Sequence, residues 1–417
     1  MKRGDVAGPS GIEEMQQRLD YVLRPNKPID SEALLAGRAD QLQDLTTAIR
    51  MPGAHALVYG DRGVGKTSLA ATAQSLHPGR AISVRINCAP DTSWSSLWGS
   101  IAAEISSDYL SSPHADQLSD AQIGAYTQAV DGLDRVTNVA QVVAPLRLLG
   151  FESPSLIVID EFDKIEDEDV KESIANLIKA LSDKAIPSTL VVVGVAHNAD
   201  ELFFEHESIK RSLKQVRMPR LSPEELTDVI AVAERELKIR CAADVRDRIT
   251  LLSRGLPFYT HLVAWYCFEG AILERRSSIG SDDLREAQRR ASRGLQEDLG
   301  KRVDQSVHSS YPGNKYWDVC VAAACAPTDR SGFFQMRDLR PVLEARTDRS
   351  YANFAFKKHL DEFCSERGPL MEAEQRGRGS TVYRFLDPLM APYILIRESA
   401  SAPLSPAIYE QLTVPGL

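Results

Sequence analysis

Residues 60–67 read Gly-Asp-Arg-Gly-Val-Gly-Lys-Thr and match the pattern G-x-x-x-x-G-K-[ST] at every required position. The apolar run 56–59 before this loop predicts a buried strand, and residues 68–73 after it predict a helix. In such a setting the backbone N–H groups of the loop and of the helix N-terminus converge on a polyanion. The sequence therefore predicts a phosphate-binding loop between a strand and a helix.

The positions of this loop have distinct expected roles. Its glycines let the backbone approach phosphate without a Cβ in the way. Lys66 would neutralise the β- and γ-phosphates of a nucleotide, and Thr67 would offer its hydroxyl to Mg²⁺. The residues predicted to contact the nucleotide here are Gly60, Asp61, Arg62, Gly63, Val64, Gly65, Lys66, Thr67 and Ser68.

A second motif follows the apolar run 156–159, which leads into Asp160 and Glu161. A carboxylate at the end of a buried strand can hold Mg²⁺, so Asp160 is the predicted metal-site acid. Glu161 would orient and deprotonate the attacking water. The alternative makes Asp160 a helix cap and Glu161 a solvated first-turn acid. We favour the catalytic interpretation because both motifs occur in order and in context, whereas the acidic run 166–169 predicts a solvated helix start.

The order of apolar runs predicts an α/β fold, a three-layer parallel sheet with ligands at the carboxyl ends of its strands. Candidate strands are residues 55–59, 82–87, 156–160 and 189–194. Residues 222–300 have a helical pattern without a convincing strand, and residues 305–397 predict three helices and a β-hairpin, the winged-helix form. The predicted parts are a flexible N-terminal lead (1–24), a nucleotide-binding domain (25–220), a helical lid (221–302), a C-terminal winged helix (303–397) and a tail (398–417).

Composition excludes some classes of protein. The chain is 43% apolar and 26% charged, which is ordinary for a globular protein, and it has no apolar run of the ~18 residues that a membrane span needs. Six cysteines without C-x-x-C spacing predict reduced thiols of a cytoplasmic protein. Residues 301–397 hold 15 basic and 12 acidic side chains, so their net charge is +3. Because the whole chain has a net charge of −9, the other residues together carry −12. This uneven charge is compatible with a local DNA contact.

Together these features resemble the AAA+ ATPases of the origin-recognition (initiator) type and their bacterial Orc-like relatives, over roughly residues 25–397. In that resemblance residues 60–67 are the Walker A motif of a P-loop NTPase and residues 156–161 the Walker B motif. Gly37-Arg38 resembles the family's adenine-side box, which makes Arg38 a candidate nucleotide contact. The resemblance implies ATP or ADP with Mg²⁺ as ligands, ATP hydrolysis and assembly into a homo-oligomer.

The same resemblance suggests two further catalytic positions. His197-Asn198 follows the fourth predicted strand, where the family has its sensor-1 polar residue, and the spacing does not choose between His197 and Asn198. A strand-to-loop turn is the alternative explanation of this pair. Residues 209–219 resemble the region of the arginine finger, with Arg211 as the preferred candidate, acting on a neighbour's ATP. The alternative for Arg211 is a surface arginine on a helix.

The lid departs from the initiator pattern. Gly255-Leu256-Pro257 stands where initiators usually have the sensor-2 arginine, and it is similar to the signature of STAND switch ATPases. In those proteins the proline packs near the nucleotide, so Pro257 is a candidate contact; it can also begin a helix at its first turn. The resemblance favours a slow switch in which the lid position reports ADP or ATP.

The expected partner is double-stranded DNA, contacted through the third helix and the wing of residues 303–397. The candidate contacts are Arg349, Asn353, Lys357, Lys358, Arg376 and Arg378. Nearby glutamates at 362, 366, 372 and 374 would oppose phosphate. One alternative is therefore a STAND-like signalling ATPase that regulates an effector protein without binding DNA, and another is a DNA-binding module whose ATP site is only structural.

Overall fold

Helix α1 (Pro9–Val22) lies within the stretch for which the sequence predicts a flexible lead. Its C-terminal residues Leu19 and Val22 are buried, and Asp20 Oδ1 accepts a hydrogen bond of 2.9 Å from Trp265 Nε1. The prediction of a flexible lead is therefore wrong for residues 9–22. The composition of this segment is polar, but its few apolar side chains lie on one face and pack against other helices.

The computed structural model of the protein describes residues 9–77, 81–111, 116, 118–150, 152–198, 200–203, 211–311, 313–329, 331–352, 355–377 and 380–412. The chain divides into two compact units. The first comprises the described residues of Pro28–Pro219, and the second comprises those of Met1–Lys27 and Arg220–Leu417.

The unit of Pro28–Pro219 alternates helices with strands. Its helices are α2 (Ala39–Arg50), α3 (Lys66–Ser75), α4 (Trp94–Ile105), α5 (Asp120–Leu133), α6 (Val139–Leu149), α7 (Glu168–Asp183) and α8 (Asp200–Phe203). Its strands are β1 (His55–Gly60), β2 (Ser83–Asn87), β3 (Ser155–Asp160), β4 (Ser188–Val195) and β5 (Leu213–Met218). A π-helical turn (Ser106–Leu110) extends α4.

The five strands form one parallel sheet in the order β2-β3-β4-β1-β5. All residues of β1 and of β3 are buried, as expected for parallel strands covered on both faces. The predicted parallel α/β sheet is confirmed, and its four predicted strands are present. The sequence missed β5, because this edge strand alternates buried with exposed residues and has no continuous apolar run.

The second unit is mainly helical. After α1 its helices are α9 (Pro223–Leu237), α10 (Ala243–Leu252), α11 (Pro257–Leu273), α12 (Ser281–Gly294), α13 (Lys301–Val307), α14 (Tyr316–Cys325), α15 (Arg340–Thr347), α16 (Lys357–Cys364), α17 (Met390–Ser401) and α18 (Pro406–Leu412). Two short strands, β6 (Arg240–Cys241) and β7 (Ser278–Ile279), pair in parallel within the stretch predicted to be wholly helical. Two-residue strands are too short to leave a periodic pattern.

A three-stranded sheet lies among the C-terminal helices. Strands β8 (Phe334–Gln335), β9 (Met371–Arg376) and β10 (Ser380–Phe385) pair antiparallel in the order β8-β10-β9. The predicted hairpin corresponds to β9 and β10. The third of the three predicted helices corresponds to α16, which spans Lys357–Cys364.

All six cysteines are unpaired thiols, as the sequence predicted, and five of them are buried. Burial raises the pKa of the Cys88 thiol to about 12, and nearby carboxylates, beginning with Asp160, act in the same direction. None of the described helices has the length and apolar character that a span of a lipid bilayer requires.

Candidate active site

The glycine loop joins the end of β1 to the start of α3. Gly60 has a φ of 151°, and a Cβ at this position would lie 2.4 Å from the backbone oxygen of Met218 at the end of β5. Gly65 adopts a left-handed conformation (φ 94°) as the N-cap of α3. A larger residue would therefore be blocked by the neighbouring strand at Gly60 and strained at Gly65. These constraints fix the loop at the carboxyl end of the sheet.

Lys66 is the first residue of α3, and its side chain folds back over the loop. Its Nζ donates hydrogen bonds to the backbone oxygens of Gly60 (3.1 Å) and Asp61 (2.9 Å). The residue is only 9% exposed, and burial lowers its pKa to about 8. The carboxylates of Asp163, Asp160 and Asp61 act in the opposite direction. A buried ammonium that is held by carbonyl oxygens is suited to bind an incoming phosphate.

Asp160 ends β3 and is 2% exposed. Its Oδ1 accepts a hydrogen bond of 2.8 Å from the Glu161 backbone N–H, whereas its Oδ2 is buried without a hydrogen-bond partner in the described part of the chain. Burial raises the pKa of the Asp160 carboxyl, and hydrogen bonds with the Glu161 backbone and the Thr67 side chain act to lower it. A buried oxygen without a partner is costly unless something binds it.

The residues around Asp160 Oδ2 fit a magnesium ion. A carboxylate and a hydroxyl are hard oxygen donors, and Mg²⁺ is usually held by one or two such side chains together with water and substrate phosphates. Among the described residues, no three His, Cys, Asp or Glu side chains cluster as a self-sufficient metal site. Thr67 and Asp160 would therefore hold the ion jointly with a nucleotide.

In the acidic run 166–169, Asp167 caps α7, which agrees with the predicted helix start.

Glu161 follows β3 directly and has a left-handed backbone (φ 55°), which is uncommon for a residue with a side chain. Its carboxylate is 42% exposed and forms an ion pair of 2.8 Å with Lys164. The sharp turn separates its side chain from the buried Asp160. An accessible carboxylate beside a metal-site acid has the position that a base for an attacking water needs.

His197 and Asn198, the two sensor candidates, make different contacts. His197 Nδ1 lies 3.6 Å from Asp61 Oδ1 of the glycine loop. Asn198 instead exchanges hydrogen bonds with Glu201 of α8: its Nδ2 donates to Glu201 Oε1 (2.9 Å), and its Oδ1 accepts from the Glu201 N–H (3.0 Å). The turn interpretation therefore describes Asn198, while His197 is the candidate that contacts the loop.

Asp163 is a site residue that the sequence analysis missed. Its Oδ1 accepts a hydrogen bond of 2.7 Å from the Val195 N–H at the end of β4. It is also the first of the carboxylates that raise the pKa of Lys66. The sequence pointed to Asp163 only as a third acid in Asp160-Glu161-Phe162-Asp163. The partner of Asp163 lies on β4, so it is known only once the strand order is known.

Two predicted nucleotide contacts have structural partners. The Arg38 guanidinium is buried and donates to the backbone oxygens of Val64 (3.0 Å) and Pro219 (2.6 Å). The Ser68 hydroxyl accepts a hydrogen bond of 3.1 Å from the Ile29 N–H. Arg38 therefore holds the loop at Val64, and the contact of Ser68 holds the first turn of α3. A direct nucleotide contact by either residue stays a prediction.

Three further residues that the sequence predicted for the site are Arg62, Arg211 and Pro257. Arg62 of the loop is exposed, and its charge lowers the pKa of Lys66 slightly further. Arg211 is exposed, as its alternative of a surface arginine predicted, but it lies on a turn before β5 rather than on a helix. Pro257 is the first residue of α11, as its helix-start interpretation predicted. Roles for Arg211 and Pro257 at a nucleotide stay predictions.

The candidate DNA contacts lie in the C-terminal part of the second unit. Arg349 and Lys358 are exposed, Lys358 by 83% of its side chain, and Lys358 Nζ lies 3.7 Å from Glu362 Oε1. Lys357 forms an ion pair of 2.5 Å with Asp361. Arg376 forms ion pairs with two acids, Asp329 and Glu374. The remaining candidates, Asn353 and Arg378, lie outside the described residues.

A parallel sheet with this strand order, a glycine loop between β1 and α3, a lysine at the start of α3 and an acid at the end of β3 define a P-loop NTPase. Residues 34–193 match the family described as AAA ATPase domain. The matched stretch lies within the first unit and covers 160 of the 417 residues of the chain. No curated protein matches the chain.

The chain is similar to solved structures. A Walker-type ATPase of Pyrococcus abyssi is similar with a TM-score of 0.52 and 16% identity, over 88% of this chain and 98% of that chain. The Orc1 protein of Aeropyrum pernix in complex with DNA has a TM-score of 0.47 and 16% identity, over 92% of this chain and 96% of that chain. At 16% identity the first likeness supports the fold alone.

The pKa of Lys66 makes nucleotide affinity depend on pH. The protonated form binds phosphate, so binding raises the pKa of Lys66 from about 8. We expect ATP affinity to be greatest below pH 8 and to fall as the pH rises above 8. We also expect the protein to take up protons when it binds ATP near pH 8.5. Calorimetry in two buffers of different ionisation enthalpy measures this uptake. Lys66→Arg should abolish the uptake, because arginine stays protonated; equal wild-type affinity at pH 7 and pH 9 would contradict the prediction.

Proposed function

We propose that this protein is an AAA+ ATPase that binds ATP with Mg²⁺ at residues 60–67, hydrolyses it slowly and acts as a nucleotide-driven switch. One observation carries the proposal. The buried ammonium of Lys66 lies at the carboxyl end of the parallel sheet, and so does the buried Oδ2 of Asp160, which has no hydrogen-bond partner among the described residues. A metal-bound triphosphate supplies a counter-charge for the first group and a cation for the second.

The reaction is transfer of the γ-phosphoryl group to water. The water oxygen bonds to the γ-phosphorus while the bond to the β–γ bridging oxygen breaks, and the water's proton passes to the Glu161 carboxylate. Lys66 and the N–H groups of the loop stabilise the negative charge of the phosphates. Thr67 and Asp160 would hold Mg²⁺, whose charge would offset that of the phosphates. We assign the sensor role to His197, since Asn198 is engaged by Glu201.

The nucleotide state would control both assembly and the rest of the chain. We propose a homo-oligomer in which Arg211 completes the site of a neighbouring subunit, supported by the exposed position of Arg211 on its turn. We further propose that residues 25–220 are the nucleotide-binding domain, that residues 221–302 are a lid in which Pro257 meets the nucleotide, and that the protein works in the cytoplasm. Differential affinity of ATP and ADP for two lid positions would drive the switch.

We propose that residues 303–397 are a winged helix that binds double-stranded DNA. Support comes from helices α14, α15 and α16 with the small sheet β8-β10-β9, the element set of a helix-turn-helix with a wing. Arg349 and Lys358 are exposed in this region. Phosphate contacts by such side chains would make the affinity depend on salt.

A second candidate function is regulation of an effector protein without DNA. The observation that favours it is the local pairing of basic side chains: Arg376 with Asp329 and Glu374, and Lys357 with Asp361. Paired charges offer less attraction to DNA phosphates. In this case residues 303–397 would serve as a latch whose contact with a partner changes with the nucleotide.

A mobility-shift experiment tests the nucleotide and DNA proposals together. The full chain is mixed with a labelled mixed-sequence duplex at roughly 50 and 200 mM salt, without nucleotide and with ATP or ADP and Mg²⁺. We expect an ATP-dependent shift that weakens at the higher salt concentration. The double substitution Arg349→Ala with Lys358→Ala should weaken DNA binding about 10-fold or more, while Arg285→Ala with Arg289→Ala on α12 should not.

Each outcome of this experiment has a distinct meaning. If the duplex is not shifted even at low salt with ATP, although calorimetry detects ATP binding, DNA binding is rejected and the effector alternative stands. A shift that is the same with and without nucleotide would reject the switch. If calorimetry on folded protein detects no heat with either ATP or ADP, the ATPase proposal itself is wrong.

A further inference from the structure

An acidic residue in a phosphate-binding loop requires an explanation. The Asp61 carboxylate lies within residues 60–67, where a triphosphate would repel it. Its side chain is only 14% exposed, so water does not fully screen its charge. Removing this charge would strengthen phosphate binding, and the residue must therefore contribute something else if the site works with it.

The strand order brings His197 to this carboxylate. Strands β1 and β4 are neighbours in the sheet, and Gly60 is the register partner of Val195. The residues that follow each strand therefore emerge side by side, which places His197 Nδ1 3.6 Å from Asp61 Oδ1. This distance is within ion-pair range and longer than a hydrogen bond; such contacts commonly tighten when the substrate binds.

The backbone around His197 is held by two further carboxylates. Asp163, which follows β3, accepts from the Val195 N–H at 2.7 Å, and Glu201 of α8 accepts from the His197 N–H at 2.9 Å. Asp61 also meets Lys66, because its backbone oxygen accepts a hydrogen bond from Lys66 Nζ. The backbone that carries the imidazole is thus fixed from two elements, and Asp61 faces the ring itself.

We infer that Asp61 is a positioning residue that sets the orientation and the tautomer of His197 for ATP hydrolysis, an inference that rests on the proposed ATPase function. A carboxylate can only accept, so the ring nitrogen that faces it carries the hydrogen. The hydrogen then lies on Nδ1, and Nε2 keeps the lone pair that can accept from the attacking water. The proton of that water still passes to Glu161, and His197 only aligns the oxygen with the γ-phosphorus.

The substitution Asp61→Asn separates this role from a structural one. Asparagine keeps the shape and the backbone oxygen that holds Lys66, but it removes the charge and can offer Nδ2–H to His197 Nδ1, which favours the other tautomer. We expect the kcat of ATP hydrolysis to fall about 10-fold or more, while ATP affinity stays the same or increases. Asp44→Asn, at an exposed acid paired with Lys214, is the matched control and should change neither quantity.

A double-mutant cycle with His197→Gln completes the test. Because Asp61 acts through His197, Asp61→Asn should cause no further loss of kcat once His197 is glutamine. An equal loss in both backgrounds, an unchanged kcat in Asp61→Asn or in His197→Gln, or a 10-fold weaker ATP affinity in Asp61→Asn would each overturn the inference. Thermal melting establishes that each variant is folded. Absence of ATP binding or hydrolysis in the wild-type protein is a separate result, since it rejects the ATPase function itself.

Discussion

Lys66→Ala is expected to lower ATP affinity at least about 100-fold, since two charge-assisted hydrogen bonds to phosphate are worth roughly 3 kcal/mol or more together. The ammonium is the buried cation of the glycine loop, and alanine leaves the phosphates with backbone N–H groups alone. Calorimetry with ATP and Mg²⁺ measures the affinity directly. Thermal melting should show that ATP no longer raises the melting temperature, because only a bound ligand stabilises the folded state.

The stability of this variant without nucleotide is a further part of the prediction. Burial lowers the pKa of Lys66 to about 8, below its value of 10.5, so the charged form is disfavoured in the folded state at neutral pH. We therefore expect Lys66→Ala to unfold at the same or a higher urea concentration than the wild type. Lys171→Ala is the matched control, because Lys171 is similarly buried (12% exposed) and pairs with Glu168 away from the loop. Wild-type ATP affinity in Lys66→Ala would contradict the assignment of this loop.

The sequence predicted those parts of the site that are contiguous in the chain. The glycine loop and the Asp160-Glu161 pair each combine a continuous apolar strand with the polar residues that follow it, so their positions at the carboxyl ends of β1 and β3 could be foreseen. Their expected partners, a helix start at Lys66 and a buried Asp160, are present in the structure.

The contacts that the sequence could not predict join distant segments. Asp61 and His197 are 136 positions apart in the chain and meet only because β4 lies next to β1. The bond from Val195 to Asp163 depends in the same way on β3 lying next to β4. Strand order is not written in any local pattern, because each strand of a parallel sheet has the same apolar signature.

Errors of the sequence analysis had a different physical origin. Helix α1 and strand β5 were missed because each buries only one side, so that their mean polarity resembles that of a loop. The choice of Arg38 as a nucleotide contact is not one of these errors and stays a prediction; it followed a family resemblance, and the structure shows that its guanidinium donates to the backbone oxygens of Val64 and Pro219. A buried arginine can order a phosphate-binding loop without touching the phosphate.

Glu161→Gln is expected to bind ATP as tightly as the wild type but to lower kcat about 100-fold or more, the usual contribution of a general base. Glutamine keeps the size of the side chain and can still hydrogen-bond the attacking water, but it cannot take the water's proton. Phosphate release at saturating ATP measures kcat, and calorimetry measures affinity. Because hydrolysis would no longer end the ATP state, any ATP-dependent oligomer should persist in gel filtration.

The control for this variant uses a repeated feature of the chain. Glu161 pairs with Lys164 three residues later, and Glu168 pairs with Lys171 at the same spacing and at 2.9 Å. Glu168→Gln breaks an equivalent ion pair in the first turn of α7, where Glu168 is 55% exposed, so it should leave both kcat and affinity unchanged. If both substitutions slow hydrolysis equally, the effect reports the loss of a surface ion pair rather than of a base. If Glu161→Gln hydrolyses ATP at the wild-type rate, the base is a different residue, and the sharp turn at Glu161 serves only to place Asp160 beside Thr67.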